Sequence, residues 1–358
     1  MVVGAVVTET GMQAPLAAGY RKALVLWQEE VNAGGGLLGR PVELRLRDDG
    51  SQAVRAGALY AQLVREKADL LVGPYGSAAT LQALAEAERA RRVMVNGAGA
   101  SRVVHRRAPR YVFQVVAPYA AYATGIVELA QAAGCHGLFI SARDDTNSGE
   151  MAEGARLLAL ARGLSVNVLE RYPSGTIDFL PLIAKARDYG GDVWIAFGEL
   201  RDTVEIVRVS REKNYAPRVF FGDAVTRPQF IASVGQWAEF ALGAVEYDAR
   251  LRTGSNGEFV KAFRARWSAT PDASAAAGYA AATVLAAGVR QAGTLDAPKL
   301  RAALAALEVE TVLGRYKVDP SSGEQTGIKP AVVQIRKGRP EIVWPIENRT
   351  AEATLPCQ

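Results

Sequence analysis

Apolar residues fall in short blocks along this chain, and nearly every block is followed by a helix-length stretch of mixed polarity. VVGAVV (2–7) leads to such a stretch at 15–33, VELRLR (42–47) to one at 53–66, and DLLVG (69–73) to one at 78–91, with RVMVN (92–96) behind it. Within 53–66, Val54, Ala58, Ala61 and Val64 recur at helical spacing. The pattern restarts with YVFQVV (111–116) and a helix near 119–133. GLFIS (137–141), SVNVLE (165–170), DVWIAF (192–197) and RVFFG (218–222) read as strands, each with a helical segment behind it. Strands that alternate with helices imply parallel βαβ units. The pattern therefore predicts an α/β chain with two doubly wound, parallel-sheet lobes. After ALGAVEYD (241–248) the helices lengthen and become Ala-rich, as in SAAAGYAAATVLAAGVRQAG (274–293). AVVQIRKGRPEIVWP (331–345) predicts a hairpin with Gly338 and Pro340 at its turn. No low-complexity linker interrupts the chain, which favours several short crossovers over a single tether.

The length of 358 residues exceeds one ordinary core and supports the two-lobe reading. Basic and acidic residues, 42 and 37, are interspersed, and the densest basic patches, RARRVMV (89–95) and VVHRRAPR (103–110), read as solvated turn faces. Nothing here resembles a nucleic-acid-binding tail. No apolar run approaches the ~20 residues of a membrane span. Met1 runs straight into a strand, so the protein either works in the cytosol or has lost an export signal. Cys135 and Cys357 form neither a disulfide framework nor a CxxC metal site. They are two free thiols or one bridge within the second lobe. His105 and His136 are the only histidines, and no G-x-S-x-G is present, which argues against metal-centred or triad chemistry. The expectation is a protein with no cofactor, no metal and no catalytic residues.

Two glycine-rich stretches invite a phosphate reading. NAGGGLLGRPVEL (32–44) carries Arg40-Pro41 where a P-loop has Lys-Ser/Thr, and it precedes a strand instead of following one, so it reads as a helix stop and turn. NGAGASR (96–102) lacks the third glycine of a dinucleotide fingerprint. The ribose-binding acid expected further on is absent from VVAPYAAY (115–122).

Ligands of open α/β sheets sit outside the carboxyl ends of the strands. Standing there in the first lobe are Tyr75, Ser77 and Thr80 after DLLVG, and Asn96, Ala98, Ala100 and Ser101 after RVMVN. These are small residues, hydroxyls and backbone amides at helix starts, a combination that suits an anion. In the second lobe stand Asp144, Asp145, Asn147 and Ser148, then Glu199, then Asp223, a set that suits a cation. A zwitterion, most simply an α-amino acid, satisfies both. The plainer alternatives are Ser77 as a helix cap, Asp223 as the cap of a helix near Pro228, and Glu199 paired with Arg201.

These residues resemble a known family, the periplasmic solute-binding proteins of the leucine/isoleucine/valine-binding type, with the type I periplasmic binding fold. The resemblance runs through VVGAVVTETG at the start, VNAGGGLLGRPVELRLRDDGSQ (31–52), VGPYGSAAT (72–80), VMVNGAGAS (93–101), FGELRDTVEIVRVSRE (197–212) and FFGDAV (220–225). It implies three crossovers joining a lobe of 1–117 plus 250–327 to a lobe of 118–249 plus 328–358. It also implies hinge closure near 117–119, 248–252 and 325–330 on a small ligand, and delivery of that ligand to an ABC permease. By resemblance, Ser77 and the backbone of Ala98, Ala100 and Ser101 take the ligand carboxylate. Asp223 takes the ammonium, with Glu199 beside it, and Tyr75, Tyr119, Tyr122 and Ser148 line the pocket. Ser148-Gly149 stands where the family has Tyr-Gly, and Glu199 where the leucine binder has a tyrosine. The ligand is thus expected to be an amino acid other than leucine, with an aromatic or other organic carboxylate as the alternative. A ligand-sensing receptor domain on the same fold is the other alternative. The resemblance further implies a monomer in the periplasm, reached by an export signal no longer present.

Overall fold

The alternating blocks fold onto two separate sheets. The computed structural model describes residues 1–357. One compact unit comprises Met1–Pro118 and Glu246–Ile328; the second comprises Tyr119–Val245 and the chain from Lys329 onward. The chain thus passes from unit to unit three times, after Pro118, Val245 and Ile328.

In unit 1, β1 (Val2–Val7), α1 (Ala14–Ala33), β2 (Glu43–Asp48), α2 (Ala53–Arg65), β3 (Leu70–Val72), α3 (Ser77–Ala90), β4 (Met94–Asn96) and β5 (Val112–Gln114) build a five-stranded sheet. Its order is β2-β1-β3-β4-β5, and every pairing is parallel. Strands covered on both faces read as continuous apolar runs, which is why β1, β3 and β4 stood out in the sequence. Helix α2 buries Ala56, Tyr60 and Leu63 and leaves Val54 exposed. The Tyr60 ring fixes that face: its hydroxyl accepts from Val6 N at 3.2 Å and donates to the Val72 carbonyl. The glycine-rich stretch after α1 is a helix stop. Gly36 has φ +81°, and a Cβ there would lie 2.0 Å from the Arg40 carbonyl, so no other residue fits.

In unit 2, α4 (Thr124–Ala132), β6 (Gly137–Arg143), α5 (Thr146–Ala161), β7 (Ser165–Tyr172), α6 (Leu180–Tyr189), β8 (Val193–Phe197), α7 (Leu200–Glu212), β9 (Val219–Gly222), α8 (Pro228–Val234) and β10 (Leu242–Val245) follow in order. The chain returns to unit 1 for α9 (Asn256–Trp267), α10 (Ala273–Ala292), α11 (Ala297–Ala306) and a small ribbon, β11 (Val309–Thr311) with β12 (Gly314–Tyr316). It ends in unit 2 with β13 (Ala331–Arg336) and β14 (Arg339–Trp344).

The unit 2 sheet has the order β14-β13-β10-β9-β8-β6-β7 and is mixed: β13 runs antiparallel to both of its neighbours, β10 of the parallel set and β14 at the edge. The hairpin turns at Lys337-Gly338, both with positive φ, as a two-residue hairpin demands. Pro340, expected in the turn, lies instead in β14 opposite Ile335, on an edge strand where the missing N–H costs no ladder bond. The single helix expected over 119–133 is a 3-10 turn (Tyr119–Ala121) followed by α4, and the Thr124 hydroxyl bonds the Ala121 carbonyl at the break. Cys135 and Cys357 form a disulfide with Cα atoms 4.9 Å apart, the bridge in the second lobe that the sequence left open. No helix among the described residues is long and apolar enough to cross a membrane.

Candidate ligand-binding site

At the carboxyl ends of β3 and β4 in unit 1, the backbones of Tyr75 and Ala98 form a β-bridge. Asn96 holds the loop beyond: its Oδ1 accepts from Gly99 N at 2.7 Å and Ala98 N at 3.3 Å, and its Nδ2 donates to the Gly99 carbonyl at 2.8 Å. Helix α3 begins at Ser77, and the capping position is Gly76, with φ +87° and no side-chain cap. Ser77 is therefore not the cap. Its Oγ accepts from Ser101 N at 3.1 Å. With the oxygen used as acceptor, the one hydroxyl proton is available to donate. The first amides of a helix have no preceding carbonyl to bond, and the dipole there favours negative charge. Tyr75, Ser77, Ala98 and Ser101 are thus brought together. Ala100 is buried, so it offers backbone only, and the Ser101 side chain accepts from Val103 N at the start of a short 3-10 turn. The Thr80 hydroxyl bonds the Gly76 carbonyl at 2.8 Å and belongs to the helix.

In unit 2, a connected set of charged groups stands at the carboxyl ends of β6, β8 and β9. Arg143, the last residue of β6, donates from Nε to Asp145 at 2.7 Å and lies 2.6 Å from Glu199 through Nη1. The two carboxylates hold the guanidinium firmly charged. Glu199 N donates to Asp202 Oδ2 at 3.4 Å, and the Tyr172 hydroxyl sits 3.3 Å from the same oxygen. Gly198 N donates to Asp223 Oδ1 at 3.2 Å. A Cβ on Gly198 would lie 2.1 Å from the Tyr172 oxygen, so only glycine lets this amide reach Asp223 over the tyrosine. Asp223 is half-buried, and burial pushes its carboxyl up to about 7, against the lowering effects of the Gly198 amide and of Arg227. Burial likewise raises Asp202.

The plainer roles weighed for these acids do not describe them. Helix α8 is preceded by Arg227, so Asp223 is not its cap, and Glu199 pairs with Arg143 instead of Arg201. Asp145 caps α5, accepting from Asn147 N and Ser148 N at 3.0 Å each; Ser148 is buried and donates its hydroxyl back to Asp145 at 2.9 Å. Asp144 is exposed, 3.7 Å from Arg171. Tyr122 is buried in the core around α4, with the half-buried Tyr119 ring against it edge-on at 5.4 Å. No group of His, Cys, Asp and Glu that could hold a metal exists among the described residues.

Arg143, Tyr172 and Asp202 belong to this set and were missed in the sequence. The signal for Asp202 was present: Glu199-Leu200-Arg201-Asp202 opens a helix with acids three apart, the spacing of a capping box. Arg143 and Tyr172 carry no local signal, since each ends a strand as an ordinary residue.

The sequence matches the family described as periplasmic binding protein over residues 1–339. The chain belongs to that family. A periplasmic binding protein of this kind is a substrate-binding protein of the branched-chain amino acid ABC transporter type and not an enzyme. Among relatives, an "amino acid binding protein" of Pseudomonas aeruginosa is 26% identical over 332 residues, covering 89% of this chain and 86% of its own length. The fold matches a putative branched-chain amino acid ABC transporter from Silicibacter pomeroyi with a TM-score of 0.88 at 18% identity, covering 100% of both chains. It also matches a solute-binding protein from R. palustris in complex with benzoate, with a TM-score of 0.70 at 21% identity, covering 99% of this chain and 98% of that one.

Proposed function

We propose that this periplasmic binding protein captures a small α-amino acid in the periplasm and delivers it to an ABC permease. The ligand carboxylate is taken by the Ser77 hydroxyl and the backbone at Ala100 in unit 1, since the amides of Ala98, Gly99 and Ser101 already donate to Asn96 and Ser77, and the ammonium by Asp223 in unit 2. Closure about the three crossing segments completes the capture. The observation that carries this reading is Asp223: an acid at a strand end, enclosed enough to be raised to about 7, with one backbone donor. A cation beside it restores the charged form, and charge-assisted hydrogen bonds in an enclosed site are the strong kind. Arg143 neutralises part of the surrounding acid set, so Glu199 and Asp145 act as its partners, leaving Asp223 for the ligand.

A second reading, an organic carboxylate as ligand, is supported by Arg143 and by the benzoate-bound relative in fold. A thermal-shift screen with the twenty amino acids and their deaminated counterparts separates the two. A ligand at ~100 times its Kd stabilises by ~2.7 kcal/mol, a readable shift. Stabilisation by an amino acid and not by its deaminated acid is the expected result. Equal stabilisation by both removes Asp223 from the ammonium role.

A further inference from the structure

One peptide unit, Phe197–Gly198 at the carboxyl end of β8, is held at both of its polar groups. Its amide donates to Asp223 Oδ1 at 3.2 Å, and its carbonyl lies 3.3 Å from the Tyr172 hydroxyl. A trans peptide is a rigid plane whose C=O and N–H point in opposite directions, so a bond that fixes the carbonyl also aims the amide. Tyr172 ends β7, two places along the sheet from β8, and its side chain reaches the peptide past the intervening β6.

Packing alone does not call for the hydroxyl. The Tyr172 ring is buried among Phe139, Phe179, Trp194 and Ile206 and meets Phe179 edge-on at 5.4 Å, contacts a phenylalanine would make as well. The oxygen stands between two acceptors, the Phe197 carbonyl and Asp202 Oδ2, at 3.3 Å from each, and its one proton is shared between them. Burial and the nearby Asp202 and Asp223 keep that proton in place, so the hydroxyl remains a donor. The residue opposite is matched to it: a Cβ at Gly198 would lie 2.1 Å from the tyrosine oxygen. A hydroxyl-bearing ring at 172 and a bare α-carbon at 198 thus work as a pair, and what the pair delivers is one amide pointed at Asp223.

We propose that Tyr172 is a positioning residue for ligand capture: through the Phe197–Gly198 peptide its hydroxyl aims the Gly198 amide at Asp223 and so holds that carboxylate ready for the ligand ammonium. The inference rests on Asp223 as the partner of the ammonium. Tyr172 acts on the ligand only through this peptide. An amide donor favours the charged carboxylate, so an amide that loses its aim raises the pH at which Asp223 ionises. The other charged groups around the pair are Asp202 and Glu199 at the start of α7, Arg143 at the end of β6, Asp145 before α5 and Arg227 before α8, and Tyr172→Phe leaves all of them in place.

The test takes two readouts on the full chain. The ionisation midpoint of Asp223 in the empty protein is followed by carbon NMR of aspartate-labelled protein, with its signal assigned by its loss in Asp223→Asn. Affinity is followed by calorimetry from about pH 5 to about pH 9, with whichever of the twenty amino acids stabilises the parent most. In Tyr172→Phe the midpoint should rise by about 0.5–1 pH unit. Affinity should fall about three- to tenfold below pH 7 and return to the parent's by about pH 9, where Asp223 is ionised in both proteins. A merely structural role would weaken binding equally at every pH, so a pH-independent defect overturns the proposal, as does an unmoved midpoint. Asp202→Asn answers independently of whether Tyr172→Phe folds. Its neutral amide competes less for the tyrosine proton, which passes to the Phe197 carbonyl, so the midpoint should fall; an unmoved or raised midpoint overturns the proposal. The reading beneath it fails in a different way: full affinity in Asp223→Asn, or no amino acid that stabilises the parent, removes Asp223 from the ammonium role and the proposal with it. Lost affinity in Asp223→Asn beside a parent-like Tyr172→Phe overturns the proposal alone.

Discussion

Arg143 Nη1 lies 2.6 Å from Glu199 Oε1, which joins the end of β6 to the start of α7 and gives the exposed Glu199 carboxylate a partner within the protein. The Glu199 side chain is 64% exposed, so the pair itself contributes little, on the order of 0–1 kcal/mol. Glu199→Gln is expected to leave stability within about 1 kcal/mol of the parent, as chemical denaturation would show. Arg143→Ala is the informative variant. It leaves Asp145 and Glu199 without their cation, making the neighbourhood of Asp223 more negative. Affinity for an amino acid should stay within about threefold, whereas an organic-carboxylate ligand held by Arg143 should lose more than about tenfold by calorimetry.

The raised carboxyl of Asp223 makes binding pH-dependent, and the sign follows from which form grips the ligand. Below about 7 the empty site holds a proton on Asp223, and an ammonium must displace it. Amino-acid affinity should therefore climb as pH rises from about 5 to about 8, by up to about tenfold per unit below 7, then level off. Isothermal titration across that range, in buffers of different ionisation enthalpy, should also register proton release. In Asp223→Asn the slope should vanish together with more than about tenfold of the affinity. A flat profile in the parent protein would remove Asp223 from the site.

The same shift has a stability consequence of opposite flavour. An acid raised in the folded state above its unfolded value of about 3.9 is penalised on ionising, so the penalty is absent at low pH and complete above about 7. Without ligand, Asp223→Asn should gain stability over the parent near pH 8 and little near pH 4, seen as a Tm difference that opens with rising pH.

Most of the scaffold was legible because it rests on local patterns. β1, β3, β4 and β8 are covered on both faces and read as unbroken apolar runs, and the Gly34–Gly36 stretch announced the end of α1. The candidate residues Ser77, Ala98, Ser101, Glu199 and Asp223 were visible by position, since each follows a strand. What local pattern could not carry was pairing across the sheet. Arg143 meets Glu199 only because β6 and β8 are neighbours, and Tyr172 reaches Asp202 only because a glycine at 198 leaves it room. The hairpin turn shows the same limit: Gly338 and Pro340 are both turn residues by type, and only strand register places Pro340 in β14.

Ser77 can be tested apart from the fold. Because Gly76 and not Ser77 occupies the capping position, Ser77→Ala removes a hydroxyl that holds Ser101 N but no helix cap. Stability should fall by no more than about 1 kcal/mol, while ligand affinity should fall by about five- to thirtyfold for one lost hydrogen bond to a carboxylate. Parallel denaturation and calorimetry check both halves, and an unchanged affinity would remove Ser77 from the anion pole.

The Cys135–Cys357 bond closes a loop with a sequence separation of 222 residues, and both cysteines are buried. In the chain-entropy account, so long a loop gives a ceiling near 5 kcal/mol, while native disulfides more often contribute 2–4 kcal/mol. The tail keeps other ties: Gln334 bonds Thr354 from both ends of its amide, and Arg336 Nη1 reaches Thr354 Oγ1 at 2.6 Å. Replacing both cysteines with alanine should therefore destabilise unit 2 by about 2–4 kcal/mol without unfolding it, and the tail after β14 should become the first site of proteolysis. The strand-end residues Asp223 and Gly198 lie away from the bridge in sequence and in the sheet, so ligand affinity in the double variant should match the parent well below its Tm. Limited proteolysis and a binding isotherm on the same preparation check both expectations. Loss of affinity without loss of unit 2 stability would show that the tail acts on the binding site directly.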